Sequence, residues 1–214
     1  MTTRTEGAGP AGMVPATAKG EATRAFLLRT AARVFAERGY TGTALTDLIA
    51  ASGLTKGAFY FYFQSKSALA LAVLADQQER WLRQVRDRVL SAGTALEQFR
   101  ALAPSMLDLL TADPGAWSIT RLTRDMATDP AMADEVSKPM GMWVDLIADI
   151  VARGQADGDL RRGPDPRHVA VVLVGAFDGI KTLTDVLDPG TQVSDMFRQR
   201  AQVLLDMVEH GLLT

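Results

Sequence analysis

Between Thr43 and Lys66 the chain reads TALTDLIAASGLTKGAFYFYFQSK, and this stretch leaves few options for the rest of the fold. Leu45, Leu48 and Ile49 stand at i, i+3 and i+4, which puts them on one stripe of a short helix. Ser52-Gly53 ends that helix, because glycine accepts the left-handed backbone that a sharp corner needs. Leu54 returns to the core, and Thr55 is placed to cap a second helix beginning at Lys56. On that helix Phe59 and Phe63, four apart, are expected to turn inward. Lys56, Gly57, Tyr60, Phe61 and Tyr62 are left facing out. Such a face suits water poorly and a nucleic acid well.

Each outward residue has a physical use in a major groove. Thr55 and the unpaired N–H groups of the first turn offer an anion site to a phosphate. Lys56 reaches a phosphate or a guanine edge, and Phe61 lies against a thymine methyl. Gly57 has no side chain and lets the backbone approach the bases. Tyr60 and Tyr62 donate their hydroxyls to phosphates, which sets register without reading sequence. Lys66, behind the capping Ser65, adds a charge toward the DNA backbone. A helical hairpin with ordinary aromatic packing is the alternative for the corner alone; the aromatic pair and the caps together favour the groove.

The segments ERGY-T-x-T and DLIAASGLTKGAFYFYFQSKSAL resemble the amino-terminal DNA-binding domain of the TetR (tetracycline-repressor) family of bacterial regulators. The resemblance spans about residues 24–75 without a gap, and a G-[LV]-[ST]-x-G-x-x-Y-x-x-F-x-S-K core carries it. It implies an all-α fold: an N-terminal three-helix helix-turn-helix domain, then a C-terminal helical domain for ligand binding and dimerisation. It also implies that Thr43, Thr55, Lys56, Gly57, Tyr60, Tyr62 and Lys66 face DNA. Residue 44 is alanine where a capping Ser or Thr is common, so Thr43 or Thr46 is expected to cap the first helix, and Thr46 joins the DNA-facing set. Ala68 stands where a Glu usually completes a capping box after Ser65, and Tyr62 where the family often has His. Each weakened cap costs about 1 kcal/mol. The YFYF run is similar to that of the γ-butyrolactone-receptor branch of the family.

The 214 residues suffice for a small DNA-binding domain and a second core. With 23 basic and 25 acidic residues, the chain is not a generally basic coating protein. Its first 80 residues nevertheless carry nine Lys/Arg against six Asp/Glu, a modest excess that suits positioned DNA contacts. The absence of cysteine removes disulfides and thiolate ligands, so no metal or cofactor is expected. No apolar run reaches membrane-span length and the amino terminus lacks a signal peptide's apolar core, so the expected location is the cytoplasm, with no membrane partner.

Residues 1–20 read as a disordered leader, residues 21–66 as the helix-turn-helix domain and residues 67–214 as the effector-binding and dimerisation domain. A first helix at 21–38 ends at Gly39, with Tyr40 packing on the three-helix unit. A long helix from Ser65 to Ser91 leaves the head and enters the second domain. Further helices are expected at about 94–111, 114–127, 131–157, 165–187 and 193–211. Pro104 and Pro139 fall inside these patterns and predict a kink or a break.

The last two helices carry the signal of a second copy. Residues 168–187 are apolar around most of the circumference, more than one core face requires. Val172, Gly175, Ala176 and Gly179, with Phe197, Ala201, Leu204, Leu205 and Val208 on the final helix, are the expected homodimer interface. A buried core helix in a monomer is the alternative. In the middle helices, Met106, Leu110, Trp117, Arg121, Met140, Trp143, Ile147 and Phe177 are candidate effector contacts, because thioethers and indoles line pockets for flat or flexible apolar molecules. The same residues also serve as ordinary core. Arg124, Asp125, Asp178 and Lys181 are nearby polar groups that could orient a ligand.

Catalysis is not expected. His168 and His210 lie in no nucleophile or metal constellation, and no G-x-S-x-G, H-E-x-x-H or glycine phosphate loop is present. Asp157-Gly158-Asp159 lacks the remaining calcium ligands. The expected function is a homodimeric regulator, a repressor released from a palindromic double-stranded operator by a small apolar or amphipathic effector. The alternative is a DNA-binding regulator or architectural protein without an effector.

Overall fold

Thr17 starts the first helix: its Oγ1 accepts the N–H of Gly20 at 3.2 Å, the usual way to satisfy an orphan donor. The computed structural model describes residues 17–112, 122–188 and 194–212, and its helices are α1 (Ala18–Arg38), α2 (Leu45–Ser52), α3 (Lys56–Tyr62), α4 (Lys66–Leu90) and α5 (Ala95–Ala112). They continue with the described part of α6 (122–127), then α7 (Pro130–Asp157), α8 (Pro166–Leu187) and α9 (Ser194–Leu212). The expected all-α architecture is what the chain adopts. The first helix begins inside the expected leader, because Thr17 and not a later residue provides the cap. Residues 1–16, Trp117 and Arg121, and the side chain of Leu110, lie outside the described residues.

Helices α1 to α4 form the head, with α1 packed on both α2 and α4. Glycine at 42 is required by close approach, since a Cβ there would stand 2.4 Å from the Arg38 carbonyl oxygen. Gly53 takes φ 65°, the left-handed corner between α2 and α3. Ser65 Oγ accepts the N–H of Ala68 at 3.0 Å and begins α4 without help from a capping-box Glu.

Helix α4 then packs on α5 and α7, and α7 packs on α8. One core runs through both parts, from Leu27 and Phe59 through Val73, Trp81 and Phe99 to Ile150 and Ala170. The head joins the second domain through α4, and outside α4 the Tyr40 hydroxyl meets the Met132 sulfur of α7 at 3.8 Å. Pro104 and Pro139 sit inside α5 and α7 without interrupting either helix. Pro139 itself belongs to the buried stripe of α7, which holds the helix in register across the missing N–H.

Candidate nucleic-acid interface and effector cavity

The corner is built as its residues require. Thr55 Oγ1 accepts the Ala58 N–H at 3.2 Å, and Phe59 and Phe63 are buried beneath α3. Phe61 remains 50% exposed, an unfavourable place for a phenyl ring in water. Thr46, Thr55, Lys56 and Gly57 are exposed and Tyr60 is half-exposed, so these five of the expected residues remain accessible, as Phe61 does. The Lys56 ammonium lies 6.0 Å from the Tyr60 ring centroid. Tyr62 is half-buried, packed against the core with its ring edge-on to Phe61. A Cβ at Gly57 would meet no heavy atom within 4 Å, so nothing inside the subunit demands glycine there.

Two expected contacts require correction. Thr43 is only 1% exposed, and its hydroxyl donates to the Gly39 carbonyl at 2.7 Å. Its side chain is part of the α1–α2 loop and not of the outer surface. Nor does it cap α2: the cap is Ala44, whose N–H donates to the Asp47 carboxylate at 3.0 Å. Lys66 is turned inward as well. Its ammonium donates to the carbonyls of Tyr40 and Thr43 at 3.0 and 2.9 Å and lies 4.2 Å above the Tyr40 ring. The Tyr40 carbonyl also accepts the Thr43 N–H at 3.3 Å, so the ammonium reinforces a turn already formed and adds a charged donor to both loop carbonyls.

In the second domain α4, α5, α7, α8 and α9 line a half-open cavity of about 130 Å³. Met106, Met140, Trp143, Ile147 and Phe177 line it, as expected. Composition alone did not single out the contribution of α4, where Gln78 and Trp81 form a wall. The signal was available: Gln78 stands four residues after Leu74 and three before Trp81, a polar side chain on the buried stripe of α4. Gln78 is 4% exposed, and its Oε1 accepts the Trp143 indole N–H at 2.7 Å. An indole nitrogen can only donate, which fixes the amide orientation and turns the NH₂ group toward the cavity. Among the described residues no acceptor meets that NH₂ group. Asp178 and buried Lys181 add polar groups to the wall, and Asp178 pairs with Arg124 at 3.6 Å.

The opposite face of α8 is apolar and uncovered. Val172 is 66% exposed, and Val171, Leu183, Val186 and Leu187 are exposed beside it. A Cβ on Gly175 or Gly179 would meet nothing within 4 Å. Here the expected positions of α8 are available to a partner. On α9 the expected positions divide: Leu204, Leu205 and Val208 keep part of their surface exposed, whereas Phe197 and Ala201 do not, and those two require correction. Phe197 and Ala201 are buried against Leu107, with Phe177 and Ile180 packed beside them. Leu204 and Leu205 line the cavity, and Val208 packs on the main core. The strongest apolar stripe of α9 covers the subunit's own interior; its outer face carries Val203 and Met207.

The family pattern of bacterial regulatory proteins of the tetR family matches residues 27–73. That of the C-terminal domain of BetI-type transcriptional repressors matches residues 95–210, more than half of the chain. The chain belongs to the TetR family. A solved structure described as the molecular basis for control of antibiotic production by bacterial hormones is 32% identical; the match covers 90% of this chain and 98% of that one, with a TM-score of 0.75. The A-factor receptor protein of Streptomyces griseus is 26% identical over 80% of this chain, which spans 60% of that receptor's length. The HTH-type transcriptional repressor DhaR of Mycobacterium sp. (strain GP1) is 28% identical, over 73% of this chain and 79% of DhaR. TetR-family proteins are helix-turn-helix transcription regulators, and neither the family nor these relatives are enzymes. Among the described residues of this TetR-family chain, no helix is long and apolar enough to cross a membrane, and no group of three or more His, Cys, Asp or Glu could hold a metal ion.

Proposed function

We propose that this protein is a homodimeric repressor that holds a palindromic operator and leaves it when a small, largely apolar effector fills the cavity. Lys56, Gly57, Tyr60 and Phe61 enter the major groove, with Thr46, Thr55 and Tyr62 flanking them at the phosphates. The outer faces of α8 and α9 pair with their copies in a second subunit, which sets two reading heads about 34–36 Å apart or a modest multiple of that distance. Descriptions of two relatives, a hormone-linked regulator and an A-factor receptor, are in keeping with a small-molecule signal.

The observation that carries the effector is the Gln78 amide. Its NH₂ group, which meets no acceptor among the described residues, stands in a largely apolar cavity whose other polar wall groups are Asp178 and Lys181, and it suits an oxygen brought by the ligand. The effector is therefore an apolar molecule with a carbonyl, lactone or carboxyl oxygen near one end. It must bind the released conformation better than the DNA-bound one, because equal affinity shifts nothing. Selection of bound duplexes from a random pool tests the first half of the proposal: a palindrome is expected, and a single asymmetric site would overturn the dimer. A thermal-shift screen of apolar carbonyl compounds, followed by release from that duplex, tests the second half.

A further inference from the structure

Tyr40 joins two parts of the molecule that sequence periodicity keeps separate. On one side it belongs to the head: its ring packs on Phe35 at 6.0 Å, and Lys66 grips both the ring and the loop carbonyls. On the other side its hydroxyl points at the Met132 sulfur of α7, 3.8 Å away. Met132 and Trp143 are eleven residues apart, about three helical turns, so they share one face of α7. The buried stripe that begins under Tyr40 thus becomes the cavity wall at Met140, Trp143 and Ile147. At its origin α7 is held by Asp129, whose carboxylate accepts the Ala131 N–H at 3.0 Å.

The receiving loop is stiff. Thr43 bonds to Gly39, Gly42 lies against Arg38, and Lys66 closes the loop over the start of α2. A push at Tyr40 is therefore delivered to α2 and, through the Gly53 corner, to α3.

We propose that Tyr40 is a positioning residue: the chain Met132–Tyr40–Lys66 couples the cavity wall of α7 to the reading helix, on a path separate from α4. This rests on the effector-released function proposed above. It differs in giving the head two supports, so that α4 can tilt it only as far as the seat on α7 allows. Coupling between sites is reciprocal, so DNA on the head must alter the cavity wall by the same free energy with which an effector alters the head.

That reciprocity permits a test without the effector. Hydrogen exchange would be followed by mass spectrometry with and without the duplex selected by the wild-type protein. In the wild type, duplex binding is expected to change exchange in residues 140–147 by roughly threefold or more. Met132→Ala, which withdraws the seat, should abolish most of that change while the protection of residues 56–62 by DNA persists. Met132→Leu keeps the volume and should restore it; a role in stability alone would lower the melting temperature of Met132→Ala and leave the exchange change in place. If the wild type shows a change at 140–147 that Met132→Ala retains, the coupling through Tyr40 is overturned and the effector reading stands on α4. If duplex binding leaves both 78–81 and 140–147 unaltered in the wild type, the effector reading falls and this one with it.

Discussion

The Lys66 ammonium lies 4.2 Å above the Tyr40 ring and donates to the Tyr40 carbonyl at 3.0 Å, so the first charged residue of α4 acts inside the head. Lys66→Met keeps the length of the stem and removes the donors. It should destabilise the protein by about 1–3 kcal/mol, because two loop carbonyls lose a charged partner. Lys56→Ala should leave stability nearly unchanged and reduce the salt dependence of duplex binding by about one counterion. Urea unfolding and affinity titrations at several salt concentrations separate the two lysines; equal salt slopes for Lys56→Ala and wild type would remove Lys56 from the phosphates.

Gly57 gives a sharper test of the DNA-facing surface. A methyl group there meets nothing in the subunit, and alanine favours helix by up to about 1 kcal/mol over glycine. Gly57→Ala should therefore melt no lower than the wild type. If the α3 backbone lies close to the bases, the same methyl group should weaken duplex binding by about tenfold or more, the equivalent of roughly 1.4 kcal/mol. A variant that is both more stable and fully active would place the groove elsewhere.

The local chemistry of the corner could be read from the chain, and the partners of each face could not. Thr55 and Ser65 cap where their spacing indicates, and Phe59 and Phe63 turn inward, because these outcomes depend on neighbours three or four residues away. Thr43 and Lys66 look like free polar groups until the α1–α2 loop closes on them, a contact over 23 residues for Lys66 and Thr43. Periodicity identifies the apolar stripe of α9 but not which of two surfaces it meets. By pattern Phe197 and Ala201 suit a second subunit as well as their own, and the fold buries them in their own. Five cavity residues were legible as bulky, adaptable side chains; Gln78 was hidden by its polar neighbours Gln77 and Glu79.

The uncovered face of α8 should behave differently from the inner face of α9. Val172→Glu places a charge on an exposed position, so the subunit should stay folded and sediment as a monomer at micromolar concentration. Phe197→Ala instead empties a fully buried site and should cost about 3–5 kcal/mol of subunit stability. Light scattering and thermal unfolding on both variants distinguish interface from core. A Val172→Glu protein that stays dimeric would move the interface off α8.

Tyr40 should report the seat of the head on α7 through its ionisation. Burial, and secondarily the Asp129 carboxylate, hold its phenol above the ordinary value of 10.0. The folded value exceeds the unfolded one, so the stability contributed by the neutral phenol is complete below pH 10 and lost as pH rises toward the folded value. Phenolate absorbance during an alkaline titration should show Tyr40→Phe lacking a group that ionises above pH 10. Stability should also fall less steeply above pH 10 in that variant than in the wild type. An unchanged titration curve at its alkaline end would mean that the ring is not held as described.

The Gln78–Trp143 pair allows stability and ligand recognition to be separated. Gln78→Leu leaves a buried indole N–H without an acceptor and should cost about 1–3 kcal/mol. Adding Trp143→Phe removes the orphaned donor, and because two apolar groups can pack where a polar pair stood, most of that loss should return. Neither variant, however, restores an NH₂ group in the cavity. Thermal shifts would be compared for pairs of apolar compounds of equal size, one with a carbonyl oxygen and one without. The wild type should favour the carbonyl member, by about tenfold or more for a buried hydrogen bond, and both variants should lose that preference. If the double variant regains stability and still prefers the carbonyl compound, the oxygen is held by another group in the wall and Gln78 serves only to orient Trp143.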